Sequence, residues 1–172
     1  MHWTACPGPG HFLHIQLGKK PRLYRFAPKS LWVDVEQSND MDMIDDIIHE
    51  IAHACEEMYM DQVYGDGMIV REFTAKRNNL AVILQDLYDV PENFTYKVEY
   101  DKEIDDFLQN EIGYDILNQL VTGIFPSAYA ATSVNEYFAR GFEEFFIGDR
   151  KNLKNTCQVL YRVLYSLIST ED

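Results

Sequence analysis

The chain has 172 residues, enough for one ordinary domain with a real core and short for two. Hydrophobic residues make up 47%, with eleven Tyr and ten Phe, which excludes a disordered chain. A net charge of −13 argues against nucleic acid and anionic membrane surfaces as partners, and three widely spaced cysteines (Cys6, Cys55, Cys157) exclude a disulfide framework or a cysteine zinc site.

In chain order, residues 1–21 are rich in Gly and Pro and read as irregular. They lack the basic and apolar regions of a signal peptide, and no later stretch approaches the ~20 apolar residues of a membrane span. The chain is therefore expected in the cytoplasm, or exported by a non-classical route, and to be monomeric by default. RLYRF (22–26) and LWVDV (31–35) alternate apolar and polar side chains, predicting a small N-terminal sheet.

Asp42, Asp45 and Asp46 then favour a helix N-terminus. Ile44, Ile47, Ile48, Ile51, Cys55 and Met58 recur at helical spacing, predicting a helix over roughly 40–60 with Cys55 as a buried free thiol. YGDG (64–67) ends it. MIVREF (68–73) reads as a short strand or extended loop, LAVILQDLY (80–88) as the continuation of a helix, and FTYKVEY (94–100) as a strand. Ile104 to Val121 carry a helical stripe ended by Gly123 and Pro126. A helix from Ser133 to Gly148 and a last one over about 150–168 complete the chain. The fold class is α+β, mainly helical, as a single domain over 1–172.

The chemistry lies in His49-Glu50-Ile51-Ala52-His53, an HExxH motif. Histidines four apart project from the same helix face, so both imidazoles can reach one ion, and zinc accepts imidazole nitrogen while leaving room for water. Glu50 neighbours the first ligand and is placed to act as general base on a zinc-bound water. A catalytic zinc needs a third protein ligand. The metzincin continuation fails, because Glu56 and Tyr59 stand where its Gly and final His would be. An acidic residue on a second helix is the better candidate, from among Glu136, Glu143 and Glu144. Glu136 sits in NEYFARGF, which Phe138 and Phe142 would anchor. Glu56 and Glu57 read as a solvated face. Asp46, one turn before His49, is placed either to orient a ligand imidazole or simply to favour the helix dipole.

IIHEIAHA together with AYAATSVNEYFARGFEEFF resembles the catalytic domain of anthrax lethal factor and the clostridial Pro-Pro endopeptidases, gluzincin zinc metallopeptidases. The resemblance covers roughly 30–60 and 104–168. It implies a zincin-like domain with HExxH on a central active-site helix and Glu136, which opens EYFARGF, as third ligand of one catalytic Zn2+. It further implies that Tyr129, seven residues earlier, donates a hydrogen bond to the oxyanion, and that the activity is that of an endopeptidase on protein or peptide substrates. The interval from His53 to Glu136 is longer than in these relatives, which makes 61–100 an insertion. The relatives' acidic residue four after the ligand Glu is Arg140 here, which is expected to pair with Asp46 or Glu57. The alternative reading is a catalytically inactive protein-binding module on the same scaffold. An accidental motif would show itself by a Glu136 out of ligand range of the histidines.

Overall fold

The computed structural model describes residues 14–17, 30–33 and 40–169, with side chains from 43 onward. Of the described residues, 72% are helical, so the domain is mainly helical as expected. Contacts divide the chain into Met1–Ile51 and Ala52–Asp172, and the division falls inside one continuous helix, α1 (Asp40–Met58).

The first unit holds two four-residue strands, β1 (His14–Leu17) and β2 (Ser30–Val33), recorded as a parallel pair, and the opening turns of α1. The strand expected at 22–26 lies outside the described residues. So do residues 34 and 35 of the second, and the expected sheet of 22–26 with 31–35 is therefore not shown.

The second unit is a helical body. After α1 comes the short α2 (Met60–Tyr64), and then Gly67 with a φ of +68°, a left-handed turn that glycine adopts without strain. Asp66 Oδ1 accepts from Met68 N (2.8 Å), opening α3 (Met68–Leu84). Residues 68–73 are thus helical, not extended. Ile69, Phe73, Arg77, Leu80 and Leu84 form a buried stripe at helical spacing, and burial of that stripe outweighs the β-preference of Ile69, Val70 and Phe73.

Residues 94–100 form no strand either. Phe94 is buried, its N–H bonds to Pro91 O (3.0 Å) and Lys97 N bonds to Asn93 O (2.9 Å), so the segment turns back on itself. The cause is Arg77, which is fully buried. Its Nη1 donates to the carbonyls of Phe94 (2.8 Å) and Lys97 (2.7 Å), Nε to Ala131 O (2.8 Å), and Nη2 to Thr132 O. The guanidinium lies 4.9 Å from the ring centres of both Phe73 and Phe94. Burial lowers its pKa to about 10, against the opposing pull of Asp101, so it stays charged at neutral pH.

The helix expected from Ile104 to Val121 is broken. Asp101 caps α4 (Lys102–Asp106), a π-helical turn (Phe107–Ile112) follows, and Gly113, at φ +82° and ψ 139°, starts α5 (Tyr114–Leu120). A 3-10 turn (Tyr129–Ala131) leads to Ser133, whose side chain accepts from Glu136 N (3.2 Å) and caps α6 (Val134–Phe146) as the sequence predicts. The last helix is in fact two, α7 (Arg150–Thr156) and α8 (Gln158–Ser169), interrupted at Cys157. Two side chains of α3 serve the ends there. Lys76 Nζ donates to Thr156 O (2.8 Å), and Glu72 accepts from Val159 N and Leu160 N (2.9 Å each). These unused groups at helix ends are what a side chain from elsewhere can satisfy. Cys55 and Cys157 are buried and outside any disulfide. Rings of Phe73, Phe125 and Tyr137 meet with centroids 5.7–5.9 Å apart and tie α3 to α6.

Candidate metal centre

His49 and His53 sit one turn apart on α1, and the same helix carries both. Glu136 occupies the first turn of α6, held there by the Ser133 cap. One ligand atom from each of the three residues lies within 4.8 Å of the other two, and all three side chains are half-buried. His53 Nε2 is 3.7 Å from Glu136 Oε1. Ligands about 2.0–2.1 Å from a tetrahedral zinc stand roughly 3.3 Å from each other, so small side-chain adjustments would bring this pair onto one ion. Two imidazoles and one carboxylate are a donor set that zinc accepts with a coordination position left over. The donor set therefore suits such an ion, with Glu136 within ligand range of the two histidines. Of the other candidates, Glu143 Oε2 accepts from Arg140 Nη1 (2.7 Å) and Glu144 Oε2 from Asp149 N (2.8 Å), which engages both elsewhere.

The sequence reading of Glu56 needs correction. It is 5% exposed and bonded on both oxygens, not part of a solvated face. Its Oε2 meets His53 Nδ1 at 3.2 Å, and its Oε1 accepts from Asn135 Nδ2 (2.7 Å) and from the Tyr64 hydroxyl. Beside Glu56, burial first and then the carboxylate raise the Tyr64 pKa, so that phenol stays a donor. The signal was present in the sequence: positions 49, 53 and 56 share one helix face. Asn135 and Tyr64 had no such signal, because their role depends on how α6 and α2 pack. Glu57 is exposed, as expected, and Asp46 is also exposed on α1.

Glu50 follows His49 on α1 and is half-buried. Tyr129 is half-buried, its ring edge-on to Tyr114 at 6.1 Å. Burial and then the charge of Glu136 raise its pKa, with Asp105 adding to the rise and Arg140 opposing it. Tyr129 thus feels the carboxylate seven residues on. Arg140 does not fit its expected role: the ion pair it makes is with Glu143, and its guanidinium lies 5.5 Å from the Tyr129 ring centre. Pairing at i,i+3 on its own helix competes successfully with reaching across to α1.

Comparison with known protein families, with curated proteins and with solved structures gives no match to this chain. The site is defined by its own residues: two histidines one turn apart, a carboxylate from a second helix and a buried carboxylate behind one imidazole. No helix among the described residues is long and apolar enough to cross a membrane.

Proposed function

We propose that the protein is a zinc-dependent endopeptidase of the gluzincin type, on a zincin-like α+β domain with a small N-terminal sheet. The observation that carries this reading is the grouping of His49, His53 and Glu136 within ligand range, from two helices separated by more than seventy residues of sequence. Bound zinc would supply Lewis acidity toward a carbonyl oxygen and toward water.

The three ligands would hold the ion. Glu50, beside the first ligand, would take the proton of the attacking water and return it to the leaving amine, a role typically worth 10²–10⁴-fold in rate. Tyr129, with its pKa raised by burial and by Glu136, stays protonated through the neutral range and is available to donate to the substrate oxygen as negative charge develops there. One such donor contributes about 3 kcal/mol to the transition state. The substrate is a protein or peptide. The side-chain preference around the cleaved bond is a property of loops in which no recognisable signature appears.

The test combines metal analysis with cleavage-site profiling on a peptide library. The purified protein is expected to bind one zinc and to cleave. Glu50→Gln should keep the metal and lose hydrolysis by at least about 100-fold. Hydrolysis by Glu50→Gln at the wild-type rate rejects the general-base assignment, and a wild type that binds no zinc rejects the metal centre.

A further inference from the structure

Resting on the metal-centre reading, we propose that Glu56 is the positioning residue of the site. It sets the tautomer of His53 and, through Asn135, locks the helix that carries Glu136 to the helix that carries the histidines. It would do so from α1 itself, where the gluzincin resemblance points instead to position 140, occupied here by an arginine.

A carboxylate only accepts hydrogen bonds, so every group bonded to Glu56 must donate. The Tyr64 hydroxyl and Asn135 Nδ2 do so at Oε1. His53 Nδ1, at Oε2, must therefore carry the imidazole proton, which leaves Nε2 as the bare nitrogen of the neutral ring. Nε2 is the atom that faces Glu136 Oε1 at 3.7 Å. The hydrogen bond thus presents the ligating nitrogen toward the remaining donors before any ion arrives. Asn135 immediately precedes Glu136, so its bond to Glu56 fixes the first turn of α6 against α1 at the point where the ligand carboxylate leaves the backbone. Burial of Glu56 keeps water from competing for these bonds.

Glu56→Gln discriminates because it preserves shape. The amide has one accepting and one donating end. With the amide nitrogen toward His53, the imidazole proton is driven to Nε2 and the ligating position is blocked. With the nitrogen toward Tyr64 and Asn135, it faces two groups that now donate to that place. The first orientation satisfies all three partners only by moving the imidazole proton onto Nε2, and the second sets one N–H donor against another at Asn135 Nδ2.

The experiment uses the full chain. Nitrogen-15 imidazole spectra of the metal-free wild type are expected to show His53 protonated on Nδ1, and those of Glu56→Gln a shift toward Nε2. Zinc affinity, measured by competition with a chromophoric chelator, should fall roughly 10–100-fold in Glu56→Gln. Asn135→Ala, an exposed position, should lower it less, because it loosens α6 and leaves the His53 bond intact. Circular dichroism checks that the variants fold. If Glu56→Gln does not, Asn135→Ala and the wild-type tautomer still decide the matter. An Nε2-protonated His53 in the wild type, or a zinc affinity in the folded variants equal to wild type, overturns the inference and leaves the metal centre standing. A wild type without zinc affinity overturns both.

Discussion

Replacing Arg77 by Met tests what organises the approach to α6. The guanidinium is fully buried and satisfies four carbonyls from two distant segments, Phe94 and Lys97 on one side, Ala131 and Thr132 on the other. Methionine fills similar space but donates nothing, so four acceptors lose their partner. At the lower end of the cost of a buried unsatisfied group, ~1 kcal/mol each, that totals about 4 kcal/mol. Loss of the guanidinium between the Phe73 and Phe94 rings adds about 1 kcal/mol. Relief from burying a charge offsets part of the sum, leaving about 3–5 kcal/mol. Lysine keeps the charge but brings only three donors on one nitrogen and no flat face, so Arg77→Lys should lose about half as much. Urea unfolding of the zinc-free protein followed by circular dichroism reads this as a shift in midpoint at constant slope. An Arg77→Met protein within ~1 kcal/mol of wild type, or a lysine variant less stable than the methionine one, would refute the account.

Zinc should stabilise the fold: at a free concentration 100 times Kd the gain is about 2.7 kcal/mol, or roughly 5–10 °C in Tm for a chain of this size. Differential scanning fluorimetry with and without chelator should show that difference in wild type and its absence in His53→Ala. The pKa of Tyr114 is raised from 10.0 to about 12, chiefly by burial and then by Asp105 and neighbouring groups. The folded chain keeps this proton where the unfolded chain has lost it, so the stability it contributes is present below pH 10 and disappears as pH rises through about 12. Denaturation midpoints between pH 9 and 11.5 should fall less steeply for Tyr114→Phe than for wild type, and parallel curves would contradict the assignment.

What could be read from the sequence was what local order determines. The apolar spacing through α1 and the Ser133 cap of α6 mark both helices of the candidate site, and the HExxH spacing alone points to His49, Glu50 and His53. Glu136 stands out in the sequence only as one of three downstream glutamates, in a stretch that Phe138 and Phe142 would anchor, and Tyr129 rests on the resemblance alone, since nothing in a short window relates position 136 to position 53. The misread segments are those shaped by distant partners. Residues 68–73 carry β-branched and aromatic side chains, yet their stripe finds α6 and α8 to pack on. Residues 94–100 alternate like a strand, but two of their carbonyls turn inward to a guanidinium from α3. Glu56 reads from the sequence as solvent-facing because a lone carboxylate ordinarily seeks water. Three donors from α1, α2 and α6 make its burial tolerable.

Gly141 meets Leu160 so closely that even a methyl group there would stand 2.2 Å from the leucine side chain. The bare backbone of α6 therefore rests flush on α8, and α8 is itself seated on the Glu72 carboxylate. The reach of the Glu136 carboxylate toward the histidines is in this way gauged from behind, by a helix that offers no ligand of its own. Changes on α8 that swell or shrink the contact at Leu160 would be transmitted along α6 as a change of bite, detuning the site while leaving every residue in it intact.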